Sequence, residues 1–272
     1  MPLPGAGWHH CPVESTGPAV IAHRGASEEA PEHTLAAYRT AIESGADALE
    51  CDIRLTADGH LVCVHDWRVN RTSNGRGAVS KLELADLNAL DFGSWMKQPQ
   101  NGESPEWERT SVLTLDRLLR LVAESPRRVE LAIETKHPTR WAGQVEEKLV
   151  ELLRRYELDR PSGDSAVRVM SFSARSLARV RAELPRVPTV FLMQFVRPRY
   201  RDGSLPAGVG VAGPSMRFVR GHPEYVERVR RAGHPVHVWT VDDPADVELC
   251  ARLGVEAIIT NRPRQVLAQL GR

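Results

Sequence analysis

Short runs of β-branched and apolar residues alternate with stretches of helical period along most of this chain. Such alternation is typical of a parallel sheet whose strands are joined by crossover helices. The candidate strands are residues 19–25, 47–55, 61–66, 129–136, 167–173, 188–194, 209–212, 236–241 and 257–260. The clearest helical patterns are residues 34–44, 141–156, 174–184, 223–232 and 244–253. The sequence therefore predicts an α/β fold.

One hairpin signal reduces these candidate strands to the eight of a closed barrel. Asp58-Gly59 lies between the second and third candidates, and Asp-Gly is a strong two-residue turn signal, so the third strand is expected to run antiparallel to the second. The other strands predict a TIM (β/α)8 barrel with an insertion, about residues 56–127, after the second barrel strand. Residues 1–17 are rich in Pro and Gly and are predicted to be a flexible tail. Residues 18–272 are predicted to form one barrel domain.

The charge balance and the cysteine spacing exclude several classes of protein. Lys and Arg (36) against Asp and Glu (35) give a formal charge of +1, so no basic field is available to hold nucleic acid. No apolar run approaches the roughly 20 residues of a membrane span, so stable membrane insertion is not expected. The four cysteines match neither a disulfide framework nor a zinc site, and a cytoplasmic location is predicted. The sequence leaves the oligomeric state open.

Polar and aromatic residues stand at the ends of several predicted strands, where barrels of this kind carry their active sites. These residues are His23 and Arg24, Glu50 and Asp52, Glu134 and Lys136, and Trp239. If Asp58-Gly59 is a two-residue turn, Asp52 lies opposite His65 on the return strand. Cross-strand partners share a face, with Cβ atoms roughly 5 Å apart. Glu50, two residues earlier, is expected on that same face because strand side chains alternate.

The same alternation predicts which face of the strand at residues 129–136 looks into the barrel. Glu130, Ala132, Glu134 and Lys136 are expected on one face, and the residues between them are expected to pack towards the helices. Three carboxylates brought together in this way repel one another unless a cation neutralises them. An all-oxygen ligand set suits Mg²⁺ or Ca²⁺ better than Zn²⁺.

The remaining candidate residues indicate the chemistry. His23 and His65 supply a base and an acid near neutral pH. Arg24 and Lys136 add fixed positive charge for an anion, and a guanidinium can hold two phosphate oxygens at once. A metal site, a phosphate clamp and two histidines together favour phosphodiester cleavage.

An ordered set of motifs across residues 19–265 resembles the glycerophosphodiester phosphodiesterase family. The opening motif is His23-Arg24-Gly25-Ala26-Ser27 followed by residues 30–38, and the next runs from Gly45 to Thr56 and on through Asp58-Gly59 to Val64-His65-Asp66. Further matches are residues 71–75, 131–136, 236–241 and 254–263.

This resemblance implies a TIM barrel that splits small glycerophosphodiesters, such as glycerophosphocholine, into glycerol 3-phosphate and an alcohol. It implies that His23 and His65 form the acid–base pair, that Arg24 and Lys136 bind phosphate, and that Trp239 shapes the floor of the substrate groove. It further implies that Glu50, Asp52 and Glu134 ligate Mg²⁺ or Ca²⁺. Attack by the neighbouring glycerol hydroxyl, through a cyclic phosphate, is an alternative to direct attack by water.

One departure from the family pattern falls close to the expected site. The usual Glu-Asn-Thr is Glu32-His33-Thr34 here, so His33 either replaces the contacts of the asparagine or adds a third titratable group.

Two alternatives to the main hypothesis stay open. A phosphodiesterase for lysophospholipid or phosphoinositide head groups needs an exposed apolar lip, for which Trp95, Met96 and Trp107 are candidates. A catalytically silent barrel that binds phosphorylated metabolites would have lost a ligand or a histidine.

Overall fold

The computed structural model describes residues 17–96, 104–137, 143–159 and 166–272. The predicted N-terminal tail therefore lies outside the described residues except at its last position. The strands are β1 (Ala19–Ala22), β2 (Ala48–Leu55), β3 (Leu61–Cys63), β4 (Glu130–Thr135), β5 (Val167–Ser171), β6 (Thr189–Met193), β7 (Val211–Pro214), β8 (His237–Trp239) and β9 (Ala257–Thr260).

Helices connect these strands in the order that the sequence predicts. They are α1 (Leu35–Glu43), α2 (Leu84–Asn88), α3 (Glu106–Thr110), α4 (Leu115–Ala123), α5 (Gln144–Arg155), α6 (Ala174–Glu183), α7 (Met216–Gly221), α8 (Glu224–Arg231), α9 (Pro244–Leu253) and α10 (Pro263–Gln269). Short 3₁₀ turns occur at Val69–Arg71, Val79–Lys81 and Pro198–Tyr200. The predicted helix at 141–156 begins outside the described residues.

The strands form a nearly closed parallel barrel. Their order is β7-β6-β5-β4-β2-β1-β9-β8, and β3 lies off this order and pairs antiparallel with β2. Parallel bridges from Ala212 to Val236 and from Ser215 to Trp239 join the two ends of this order. The TIM-barrel prediction is confirmed, and the elements β3 and α2–α4 lie between β2 and β4.

Side-chain alternation separates a barrel interior from an outer layer, as predicted for β4. Ala132 belongs to an interior cluster with Ile21, Met170 and other small or branched side chains from different strands. Leu131 and Ile133 instead pack in the large cluster between the sheet and the helices. Residues of even number in β2 and β4 therefore face the barrel interior, and Glu50 and Glu134 line the cavity at its mouth.

The predicted register of the β2–β3 hairpin is wrong by one residue. Ile53 pairs with Cys63, so Asp52 does not lie opposite His65. The turn has three residues instead of two: Thr56 N donates to His60 O over 2.9 Å, and Gly59 has a φ of +85°. A three-residue loop that ends on a left-handed glycine is the next common hairpin type. The longer loop is accompanied by a contact from outside the hairpin: the Asp58 carboxylate accepts a hydrogen bond from Leu84 N at the start of α2.

Candidate functional site

A cavity of about 200 Å³ opens at the carboxyl ends of the barrel strands. Seven of the eight predicted site residues line it, and the eighth, Asp52, is completely buried beside them. The lining residues are His23, Arg24, Glu50, His65, Glu134, Lys136, Met170, Phe172, Leu192, Gln194, Trp239, Thr240 and Ile259. The structure thus brings the whole predicted set together.

Three buried carboxylates form the centre of the polar part of this cavity. One carboxylate oxygen from each of Glu50, Asp52 and Glu134 lies within 4.8 Å of the others. The register of β2 and β4 produces this cluster, because Asp52 pairs with Glu134 and Glu50 is two residues earlier on the same face. We call these three residues the acidic triad.

Burial and mutual repulsion separate the acidities of the triad. Burial, and then the charge of Asp52, raise the pKa of Glu134 to about 8, and the same causes raise the pKa of Glu50 well above its usual value. Burial alone would also raise the pKa of Asp52, but Lys136, His33 and Arg24 hold it well below the usual range. Asp52 is therefore the most acidic member of the triad, and Glu50 and Glu134 bind a proton more tightly.

Two cations contact Asp52, the most acidic carboxyl group of the triad. Lys136 Nζ lies 2.9 Å from Asp52 Oδ1 and 2.7 Å from Glu134 Oε1. Arg24 Nε lies 3.2 Å from Asp52 Oδ2, and its backbone N donates to Glu50 Oε2 over 2.9 Å. Asp52 Oδ1 is buried and meets the Lys136 ammonium as an ion pair. A donor set of three buried carboxylates, all oxygen, fits a hard divalent cation.

His23 is held in one tautomer by the chain that follows β9. Its Nδ1 lies 2.7 Å from Asn261 Oδ1. Asn261 Nδ2 donates to Asp242 Oδ2 over 2.7 Å, so the amide oxygen must be the atom that faces His23. Nδ1 therefore carries the proton, and the lone pair of Nε2 points to the site, 4.0 Å from Glu50 Oε2. Burial and the charge of Arg24 lower the pKa of His23 to about 4.

His65 reaches the cavity by a route different from the predicted one. β3 ends at Cys63, and the chain leaves the ladder before His65. Arg54 then holds the carbonyl oxygen of His65 with two hydrogen bonds of 3.0 and 2.7 Å. His65 Nδ1 donates to Asp66 Oδ1 over 2.7 Å, and this carboxylate partner distinguishes it from His23. Burial lowers the pKa of His65, while Asp52 and Asp66 oppose that effect.

A surface arginine joins the two sides of the site. Arg71 Nε donates to Asp66 Oδ2 over 2.7 Å, and its two terminal nitrogens donate to the Glu32 carboxylate. Glu32 also accepts from Arg24 Nη1 over 3.0 Å. His65 is therefore connected to the Arg24 side of the site through Asp66, Arg71 and Glu32.

His33 lies beneath the acidic triad. Its Nε2 is 2.9 Å from Asp52 Oδ2, and its Nδ1 is 2.8 Å from the Tyr38 hydroxyl. Its φ of +61° is left-handed, a conformation in which Asn and His are both enriched. This shared preference explains how histidine fits where the family usually has asparagine, and the side chain is used to hold Asp52.

Phe172 is a site residue that no sequence pattern singled out. It follows β5 directly and meets Trp239 edge to face, with ring centroids 5.3 Å apart and an interplanar angle of 87°. Trp239 is itself held by a 2.7 Å hydrogen bond from Nε1 to Gly213 O. By contrast, Trp95, Met96 and Trp107 do not line the cavity, so they provide no lip for it.

The turn after β1 requires a glycine at position 25, and this requirement can be tested. Its φ is +84°, and a Cβ there would lie 2.7 Å from the backbone carbon of Ala37 in α1. Gly25→Ala is expected to lower the free energy of unfolding by about 3 kcal/mol, because strain and a backbone clash add. Gly59→Ala, with a similar φ and open space, is the control and is expected to lose about 1 kcal/mol. Urea unfolding measures both, and equal losses would show that the contact with Ala37 costs nothing.

Every helix among the described residues is too short or too polar to span a lipid bilayer.

The chain is similar to named phosphodiesterases along most of its length. The model of the "Glycerophosphoryl diester phosphodiesterase family" matches residues 23–265. A "Probable glycerophosphodiester phosphodiesterase 1" of Mycobacterium tuberculosis is 44% identical over 93% of this chain and 92% of its own length. A "Glycerophosphodiester phosphodiesterase" of Bacillus subtilis is 36% identical over 89% of this chain and 83% of its own length.

Solved structures share the same fold. A glycerophosphodiester phosphodiesterase of Agrobacterium tumefaciens has a TM-score of 0.73 and 26% identity, covering 92% of this chain and 99% of that one. An Oleispira antarctica phosphodiesterase, solved with its product sn-glycerol-3-phosphate, has a TM-score of 0.80 and 24% identity over 94% of this chain and 98% of that one. With the family match and the 44% identical relative, these likenesses establish that the chain belongs to the glycerophosphoryl diester phosphodiesterase family and is a phosphoric diester hydrolase.

Proposed function

We propose that this enzyme hydrolyses glycerophosphodiesters to glycerol 3-phosphate and an alcohol in a reaction that needs a divalent metal and two histidines. The observation that carries the proposal is a cavity lined by both histidines, Arg24, Lys136 and two members of the acidic triad, with the third member, Asp52, buried beside it. The phosphodiesterase relatives supply the substrate class, and residues 18–272 are proposed to act as one phosphodiesterase domain.

Glu50, Asp52 and Glu134 would hold the metal, and the donor set suits Mg²⁺ or Ca²⁺. Bound there, such an ion supplies Lewis-acid stabilisation of charge on the phosphoryl oxygens. Arg24 and Lys136 contact Asp52 and line the cavity, so their charges would hold the phosphate beside the metal ligands.

His23 acts as the general base in this proposal. Its Nε2 lone pair faces the site because Nδ1–H donates a hydrogen bond to Asn261 Oδ1. Nε2 can therefore take the proton of the attacking hydroxyl, which belongs either to water or to the substrate glycerol. His65 acts as the general acid, since the Asp66 carboxylate stabilises its protonated form before Nε2 gives a proton to the leaving alcohol.

Release of glycerol 3-phosphate from glycerophosphocholine tests the proposal directly. Purified enzyme is assayed with Mg²⁺, with Ca²⁺ and with a chelator, beside a His23→Ala variant. The proposal expects turnover that depends on metal and disappears in the variant. Turnover that persists in chelator would contradict the metal role, and full activity of His23→Ala would contradict the role of the histidine.

The free thiols support the proposed cytoplasmic location. Cys51, Cys63 and Cys250 are buried and unpaired among the described residues, as expected for a protein that functions in a reducing compartment.

Metal binding is expected to release protons near pH 7. The pKa of Glu134 is raised to about 8, so a metal must displace its proton at lower pH, and affinity for Ca²⁺ or Mg²⁺ should rise from pH 6 to pH 8. The metal-free fold binds this proton more tightly than the unfolded chain, so its stability should fall as pH rises from about 4.5 through 8.

Calorimetric titration in buffers of different ionisation enthalpy counts the released protons. A Glu134→Gln variant is the matched comparison and should release fewer protons than the wild type. A binding enthalpy that does not depend on the buffer at pH 7 would show that metal binding displaces no proton from Glu134.

Arg71 is expected to matter for rate more than for stability. In Arg71→Met, Asp66 and Glu32 lose their shared donor, so His65 is less firmly oriented, and kcat/KM should fall about 10- to 100-fold. Stability should change by less than about 1 kcal/mol, because the arginine is largely exposed. Arg68→Met, from the same loop, is the control and should leave kcat/KM unchanged. Equal rates for the two variants would show that Arg71 does not orient His65.

A further inference from the structure

The catalytic cavity has a polar half and an apolar half. The polar half carries the acidic triad, the two cations and the two histidines, and it is where a phosphate and glycerol hydroxyls find partners. The apolar half is lined by Met170, Phe172, Leu192, Trp239 and Ile259. A bound diester therefore has its alcohol portion against the apolar half, since buried hydroxyls without partners are unfavourable.

Phe172 and Trp239 form two perpendicular walls of this apolar half, which we call the aromatic corner. Their rings meet at 87°, and the hydrogen bond of Trp239 to Gly213 O fixes one wall. Phe172 is 42% exposed although it lines the same cavity as the catalytic groups. A large aromatic ring left open at such a place has contact area available to a ligand.

No described carboxylate is free to recognise a positive group in the apolar half. The carboxylates that line the cavity are Glu50 and Glu134, and both belong to the acidic triad. The remaining polar lining residues, Gln194 and Thr240, are neutral. A primary ammonium has three N–H donors that would lose water without finding enough acceptors. A quaternary ammonium has no donors and is attracted to aromatic faces.

We propose that the aromatic corner binds the quaternary ammonium of the leaving alcohol, so that the enzyme prefers trimethylammonium alcohols to primary amines and polyols. This inference rests on the proposed function and names the substrate class of that same site. The cavity volume agrees with a small head group: about 200 Å³ is below the roughly 300–1,000 Å³ of pockets for drug-sized ligands. An acyl chain would need more enclosed space.

Three glycerophosphodiesters separate the contributions of charge and size. They carry choline, its uncharged carbon isostere 3,3-dimethylbutanol, and ethanolamine. The metal-loaded wild-type enzyme is expected to give its highest kcat/KM with choline. Phe172→Leu keeps an apolar side chain but removes the ring, and it should lower kcat/KM for the choline ester about 5- to 30-fold while changing the isostere by less than about twofold. Phe172→Tyr should keep the choline preference.

Phe195→Leu is the matched control. Phe195 follows β6, the neighbour of β5, and is 64% exposed, but it does not line the cavity. Its replacement should change no substrate ratio.

Two results would overturn the inference while leaving the proposed function intact. One is an equal kcat/KM of the wild-type enzyme for the isostere ester and the choline ester. The other is a Phe172→Leu variant whose ratio of kcat/KM for choline to that for the isostere equals the wild-type ratio. Absence of turnover with all three esters would instead overturn the proposed function, and the inference with it.

Discussion

An Asp52→Asn enzyme is expected to bind divalent metal weakly, to lose about 10³-fold in kcat/KM, and to unfold more easily by about 3 kcal/mol. Asp52 is the one triad carboxylate with a depressed pKa, because Lys136, His33 and Arg24 surround it. Asparagine keeps the shape and removes the charge. Two largely buried cations then lose their common partner, and breaking such a pair from one side is strongly destabilising.

Part of this loss is offset inside the triad. The charge of Asp52 is one of the causes that raise the pKa of Glu134, so removing that charge lowers this pKa and lets Glu134 ionise beside Lys136. The stability loss should therefore be smaller than the sum of the contacts of Asp52. The metal site does not recover, since an amide oxygen is a weaker ligand for a hard cation than a carboxylate.

Urea unfolding, Ca²⁺ and Mg²⁺ titration calorimetry and steady-state kinetics measure the three effects on one preparation. Glu248→Gln is the control, because its ion pair with Arg252 is exposed and long at 4.0 Å. Wild-type metal affinity in Asp52→Asn would show that the triad is not the metal site.

The barrel and its interior face follow from local sequence because their signals are periodic. In β4, every second residue from Glu130 is polar or small, and the residues between them are the branched side chains of Leu131, Ile133 and Thr135. That pattern alone determines which side chains look inward, and so it predicts that Glu134 and Asp52 meet once β4 and β2 are neighbours.

The hairpin shows where local signals stop. A two-residue and a three-residue loop both suit Asp58-Gly59, and a contact distant in sequence, from Leu84 N to the Asp58 carboxylate, accompanies the longer one. His65 still enters the site because Arg54 holds its carbonyl oxygen after the ladder has ended. His65 therefore lies in the same cavity as the other predicted site residues, although the hairpin register on which that prediction was based is wrong.

Phe172 and Arg71 could not be predicted for a related reason. Phe172 follows β5 and its partner Trp239 is in β8, so only the closed barrel brings the two rings together. Arg71 lies in a motif shared with the family, yet its contacts to Asp66 and Glu32 depend on how the chain between β2 and β4 folds over the barrel mouth.

Changing the leaving group is expected to separate the two histidines. With the choline ester, His23→Ala and His65→Ala should each lower kcat/KM by about 10³-fold, the usual scale for general acid–base catalysis. With the p-nitrophenyl ester of glycerol phosphate, His65→Ala should lose less than about tenfold, because p-nitrophenolate departs without a proton. His23→Ala should keep its full defect, because the attacking hydroxyl still has to be deprotonated.

The hydrogen-bond partners explain why this outcome is expected and the reverse is not. Asn261 Oδ1 accepts a hydrogen bond from His23 Nδ1–H and carries no charge, so it favours the neutral ring with a free Nε2 lone pair. Asp66 accepts from His65 Nδ1 with a full negative charge, which favours the protonated ring. His60→Ala, in the exposed hairpin turn, is the control for loss of a histidine as such. The opposite result would be a full loss of kcat/KM in His65→Ala and near wild-type kcat/KM in His23→Ala with the p-nitrophenyl ester. In that case the two roles would be exchanged, and His23 would be the general acid despite its neutral partner Asn261.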